Sequence, residues 1–212
     1  MNQARLSGFL LVLMLLVQAG CSPPGILYLK PGRYLQPVAL NEKSAQISLQ
    51  RFTESFRRNE NVGSHLIGRH VQALRVKPGQ LSDALDTMLG DALVQDNVSF
   101  KRGSGWDRDL AGLQSYKGRA ALVFGGEITE FSIKITTGVT RLTSNIDISM
   151  DVDCLTGLVD EEKIIRKTVR MNKTMLRFSA DQKEIEKVID VFLADIVEQI
   201  YKNYAEYVDQ AV

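Results

Sequence analysis

The stretch 142-LTSNIDISMDVDC-154 alternates almost without a break. Leu142, Ile146, Ile148, Met150, Val152 and Cys154 fall on one side. Thr143, Asn145, Asp147, Ser149, Asp151 and Asp153 fall on the other. A period of two is that of an extended strand with one face buried and one wet. Residues 164–175 repeat the pattern and read as the returning arm of a hairpin. Opposed residues in an antiparallel pair share a face. Pairing Asp153 with Arg166 and Ser149 with Arg170 keeps the polar faces together. It also sets Cys154 against Ile165, Met150 against Val169 and Ile148 against Met171. This register predicts a four-residue loop from Leu158 to Glu161.

Upstream, residues 120–137 alternate through Ala120, Leu122, Phe124, Gly126 and Ile128, then resume in the other phase at Phe131, Ile133 and Ile135. A change of phase inside one strand predicts a β-bulge near Glu130. Shorter strands are predicted from Ala45 to Gln50, from Leu66 to Val76 and from Val98 to Phe100. Residues 54–64 and 101–119 read as loops, the second with four glycines.

Two segments switch to the helical period. Leu81, Ala84, Leu85, Met88, Leu89, Ala92 and Leu93 form one apolar stripe. Ile185, Val188, Ile189, Phe192, Leu193, Ile196 and Ile200 form another, on a helix predicted to run to about Tyr207. Ser179 with Gln182 three residues on reads as its capping box. Asp181, Glu184 and Glu186 suit the positive N-terminal end of the helix dipole. Two helices that each need one face covered, beside several alternating strands, predict an α+β domain. Its sheet is antiparallel or mixed, with both helices packed on one face.

The N-terminus has the pattern of an export address. Arg5 supplies a positive charge, residues 8–17 (GFLLVLMLLV) are unbroken apolar, and Ala19-Gly20 lead into Cys21. The apolar run is too short to span a bilayer and fits a signal peptide. The cysteine after two small residues resembles the lipobox of bacterial lipoproteins, although Gln18 stands where that family prefers Leu. The resemblance implies cleavage before Cys21 and acylation of that residue. Each buried methylene contributes about 0.8 kcal/mol, so two or three acyl chains hold a protein on a membrane. Ser22 in the next position implies sorting to the outer membrane, with the domain facing the periplasm.

Removing residues 1–20 takes one arginine from the 26 basic residues, which then match the 25 acidic ones. A neutral chain offers no general attraction to nucleic acid. Cys154 is then the one remaining thiol, so the fold must hold without an intramolecular disulfide. Residues 21–44 read as the lipidated N-terminus and a Pro- and Gly-rich tether, part of which packs on the domain as extended chain. Residues 45–212 read as the single periplasmic domain.

The lipobox cysteine, the helix 81–93, the strand motif Gly126-Glu127-Ile128-Thr129-Glu130-Phe131 and the terminal helix together resemble the YajG-type envelope lipoproteins. More loosely, they resemble the auxiliary lipoproteins of ABC-type transport systems. That resemblance implies a non-catalytic accessory or assembly subunit beside envelope machinery. The alternative is a carrier of lipid or another apolar small molecule.

No nucleophile elbow, phosphate loop or dinucleotide fingerprint is present, so no enzyme and no cofactor is expected. Asp147, Asp151, Asp153 and Glu127 read as a solvated strand face with cross-strand charge pairs. His65 and His70, five apart on what reads as one strand, point to opposite faces and make no zinc site. Trp106, Leu110, Leu113 and Tyr116 form a candidate partner-contact loop, against the plainer reading that the loop folds back over the sheet. Tyr201, Tyr204 and Tyr207 are either helix packing or an exposed strip. The expected partners are the membrane, through the lipid on Cys21, and an envelope protein.

Overall fold

The computed structural model describes residues 25–32, 46–56, 61–103, 105–138, 143–178 and 180–211. Its organising element is a 16-residue strand, β7 (Leu122–Thr137). Along one edge β7 pairs in parallel with three shorter strands in turn: β2 (Ile47–Gln50), β3 (Thr53–Glu54) and β4 (Asn61–Ile67). Along the other it pairs over its whole length with antiparallel β8 (Ser144–Leu158), and β8 with β9 (Lys163–Arg177). Parallel β6 (Phe100–Gly103) extends the sheet beyond β2. Antiparallel β5 (His70–Val76) and then β1 (Ile26–Leu29) extend it beyond β4. The sheet is mixed and curled.

Two helices, α1 (Gln80–Gln95) and α3 (Gln182–Ala211), contact each other and pack on one face of this sheet. The architecture is the α+β arrangement expected from the two periodicities. A short third helix, α2 (Leu110–Gln114), belongs to the opposite face. The bulge in β7 lies between Ile128 and Glu130, where the apolar phase changes.

The β8–β9 register differs from expectation by two residues. Asp151 faces Arg170, Met150 faces Met171, and Cys154 faces Lys167. The turn is residues 159–162 rather than Leu158–Glu161. A shift of two preserves every face, so alternation alone does not choose between the registers. In the observed one, Lys167 reaches Glu206 of α3 at 3.1 Å and Lys173 reaches Asp195 of the same helix.

Residues 66–76 are not one strand. They are the end of β4 and all of β5, joined at Gly68-Arg69, where Gly68 takes φ 61°. β4 also begins at Asn61, inside the segment read as loop. His65 and His70 therefore sit on separate strands, His65 buried and His70 exposed. The sheet begins at Ile26, within the segment read as tether. The α3 carboxylates hold that segment in place: Glu186 accepts from Lys30 N at 3.0 Å and Asp190 from Gly32 N at 2.7 Å. Asp181 caps α3, its carboxylate accepting from Glu184 N at 3.0 Å; Ser179, the cap expected from the sequence, lies outside the described residues. Gln182 instead donates to Tyr28 O and to Glu186.

At the Ile67 end of the sheet, His65 Nε2 lies 2.7 Å from Thr137 Oγ1, which lies 2.8 Å from Ser144 Oγ. Burial pushes the His65 imidazole below its ordinary value. The folded state thus resists a proton that the unfolded chain accepts near pH 6.5. Stability contributed by neutral His65 is full above that pH and is lost as pH falls toward the folded value. The urea midpoint of the protein minus that of His65→Gln is expected to fall as pH drops from about 7.5 to about 5.5, which separates this contribution from that of other titrating groups.

Candidate functional site

The loop singled out by its aromatic residues is folded against the sheet. Trp106 and Leu113 are buried with Val123, Leu155 and Val159 in a second apolar cluster, on the face away from α1 and α3. Leu113 seats over the bare backbone of Gly157. Asp109 caps α2 through Gly112 N, and its carbonyl accepts from Trp106 Nε1 at 3.3 Å. Tyr116 is half-buried, its hydroxyl donating to Gly105 O at 3.0 Å. Leu110 alone of the four remains largely exposed. The loop explains why β8 is alternately buried up to Cys154 and buried on both faces from Leu155 to Leu158. Cys21 lies outside the described residues.

The acidic strand face is paired. Asp151 meets Arg170 at 3.0 Å, Asp153 accepts from Thr168 Oγ1 at 2.6 Å, and Asp147 accepts from Thr174 Oγ1 at 2.7 Å. Glu127 sits 3.6 Å from Arg108. Among the described residues no group of three or more His, Cys, Asp or Glu side chains is placed to hold a metal. A shallow groove of about 290 Å³ on this side of the sheet is lined by groups such as Ser132, Lys134, Asp147 and Thr174.

A second cleft, of about 320 Å³, opens where β2 and β6 end against α1. Gln50, Arg51, Asp83, Asp86, Thr87 and Arg102 line it. The ends of parallel strands beside a crossover helix are a recurrent place for polar sites. Sequence reasoning missed it, because Asp86 lies off the apolar stripe of α1 and its partners come from three separate segments. Asp86 is buried and accepts from Phe52 N at 3.0 Å. Burial raises its carboxyl to about 7, against the pull of the Phe52 amide and of Arg102. Glu54 beside it accepts from Gly79, Leu81 and Ser82 N, neutralising the exposed donors at the start of α1. The cleft carries two cations and two carboxyl groups, with Arg51 paired to Asp83. The Thr87 hydroxyl in its lining donates to Asp83 O at 2.8 Å, and the lining suits a small polar group rather than an apolar one.

Asp86 gives a second pH prediction of opposite sign. A folded carboxyl held protonated favours the native state at low pH, and this advantage is lost as pH rises from 3.8 to about 7. Asp86→Asn keeps an acceptor for Phe52 N without the charge. It is expected to raise stability at about pH 8 by about 2 kcal/mol and to change little at about pH 4, measured by urea titration.

The two tyrosines flanking Tyr204 are half-buried packing residues, and Tyr204 itself is fully enclosed. No helix among the described residues is long and apolar enough to cross a membrane.

No family model matches the chain, and no curated protein matches it. Solved structures resemble it in outline. An uncharacterized protein is similar at 11% identity and TM-score 0.47, over 86% of this chain and 99% of its own. A hypothetical protein from Chlamydia trachomatis is similar at 12% identity and TM-score 0.44, over 78% of this chain and 98% of its own. The PelC dodecamer from Paraburkholderia phytofirmans is similar at 10% identity and TM-score 0.39, over 76% and 92%.

Proposed function

We propose that this chain is an acyl-anchored envelope lipoprotein, held in the outer membrane through Cys21 and facing the periplasm, where it serves as a non-catalytic accessory or assembly module. The observation that carries this reading is the closeness of the anchor to the fold. Cys21, set in its lipobox-like context, precedes the first strand of the sheet by five residues. An acyl group there tethers the sheet itself rather than the end of a long linker. The polar cleft and the paired acidic face offer polar surfaces on which such a module holds a partner.

Cys21→Ser is expected to move the protein from the membrane pellet to the soluble fraction and to remove the acyl mass from the mature chain. A variant that stays membrane-bound with no acyl mass would overturn the anchor. Affinity capture of the acylated protein from mild detergent is expected to recover the same envelope protein in independent preparations. Capture of none would overturn the accessory role.

A further inference from the structure

The strand directions gather one particular set of side chains at one end of the sheet. β1 runs parallel to β5, with Ile26 beside Ala73, so the chain enters the sheet from the His70–Val71 end. Gly25, one residue earlier, already lies beside Gln72. At that same end β4 turns into β5 at Gly68-Arg69, and β9 finishes at Arg177. A cross-strand row on the face away from α1 and α3 runs from Val71 through Leu66, Thr136 and Asn145 to Leu176. The ends of that row are bare. Val71 is 53% exposed, Leu176 65% and Phe178, just past β9, 88%, while Ile26 on the same face is 48% exposed. An exposed phenylalanine two residues from an exposed leucine is unusual for a surface that meets only water. Arg69 in the exposed turn brings positive charge to the same rim, and half-buried Arg177 at the end of β9, its guanidinium against Leu176 O and Met175 Sδ, stands beside it.

Chain length decides what covers this end. Four residues separate Cys21 from Ile26, and the five Cα–Cα steps between them reach only about 18 Å even fully extended. The Glu186 and Asp190 carboxylates fix the far side of β1 to α3, so the strand does not peel away to lengthen the tether. Resting on the reading of Cys21 as the lipid anchor, we propose that this end of the sheet is a membrane-docking surface. Phe178, Leu176 and Val71 seat at the headgroup–acyl boundary, and Arg69 and Arg177 meet anionic headgroups. The acyl anchor and this apolar, cationic rim then act together to hold the domain in one orientation, with the Asp86 cleft and the Trp106 loop presented away from the bilayer.

The test uses the full acylated protein in phosphatidylethanolamine–phosphatidylglycerol vesicles. An environment-sensitive thiol probe is placed by Phe178→Cys and, for comparison, by Glu161→Cys in the β8–β9 turn at the opposite end of the sheet. Cys154 does not compete, because it is buried and its thiol is pushed up to about 12. Nitroxide lipids are expected to quench the probe at 178 severalfold more than the probe at 161. Phe178 is exposed, so the substitution leaves the fold intact. Equal and weak quenching at both positions in an acylated protein overturns the docking surface alone. An intact mass without acyl chains overturns the anchor and the docking together. A probe at 178 that turns apolar only with rising protein density, and resists lipid quenchers, assigns the rim to a second copy and overturns the membrane as its occupant.

Discussion

Replacing Tyr204 with alanine is expected to destabilise the domain by about 4 kcal/mol. Tyr204 lies near the C-terminal end of α3, yet its ring stacks on Phe124 of β7 with centroids 4.1 Å apart and planes 6° from parallel. Its hydroxyl donates to Gly125 O at 2.9 Å across the interior. Truncation removes the stack, opens a ring-sized void between helix and sheet, and takes the tyrosine hydrogen bond from the Gly125 carbonyl. The first two terms account for most of the loss, and the carbonyl adds about 1 kcal/mol. Tyr204→Phe separates them, since it retains the ring and should cost about 1 kcal/mol. Folded domains hold roughly 5–15 kcal/mol in total, so the alanine variant should unfold at a much lower urea concentration with an unchanged slope. A loss for Tyr204→Phe as large as that for alanine would show that the hydrogen bond, not the packing, fixes α3 to the sheet.

Gly126→Ala is expected to cost about 3 kcal/mol, at the upper end for a one-carbon enlargement. A Cβ there would lie 2.3 Å from the ring of Phe52 and 2.5 Å from Asp153 O. The carbonyl belongs to β8, which is laddered to β7 on one side and β9 on the other, so it cannot retreat without disturbing both. Phe52 is enclosed, and its amide is held by Asp86. The carbonyl of Gly126 also accepts from Arg108 at 3.0 Å, which ties the Trp106 loop to the same spot. The thermal midpoint should therefore fall sharply, and the Trp106 fluorescence should red-shift before global unfolding. Gly105→Ala serves as the control, because a Cβ there meets nothing within 4 Å.

The bulge at Ile128–Glu130, the inward face of β8, and the apolar stripes of α1 and α3 were legible in the sequence because each follows from a local period; the end of α3, expected near Tyr207, lies at Ala211. A residue's neighbours two or four positions away decide whether a strand or helix can hide one side. The glycine at 126 was visible within its strand motif, but the clash that requires it was not.

What the sequence by itself determined about this protein is the class of fold, the inward face of each main element and the lipobox-like cysteine at residue 21. The tertiary structure decided the rest. Alternation has a period of two, so it specifies a face but not which of two registers pairs β8 with β9. Glu206 and Asp195, contributed by a helix some forty and twenty residues downstream, meet Lys167 and Lys173 in the register that forms. The recruitment of Ile26–Leu29 as a strand depended on Glu186 and Asp190, distant carboxylates that the chain order does not place beside it. Trp106 and Leu113 became core rather than contact surface because a patch formed by Val123, Leu155 and Val159 needed a cover. Asp86 acquired its raised pKa from desolvation, a property of the packed neighbourhood and not of its own helix. In each case the deciding energy is a long-range contact whose partner is set by the assembled sheet, and a linear pattern does not encode that proximity.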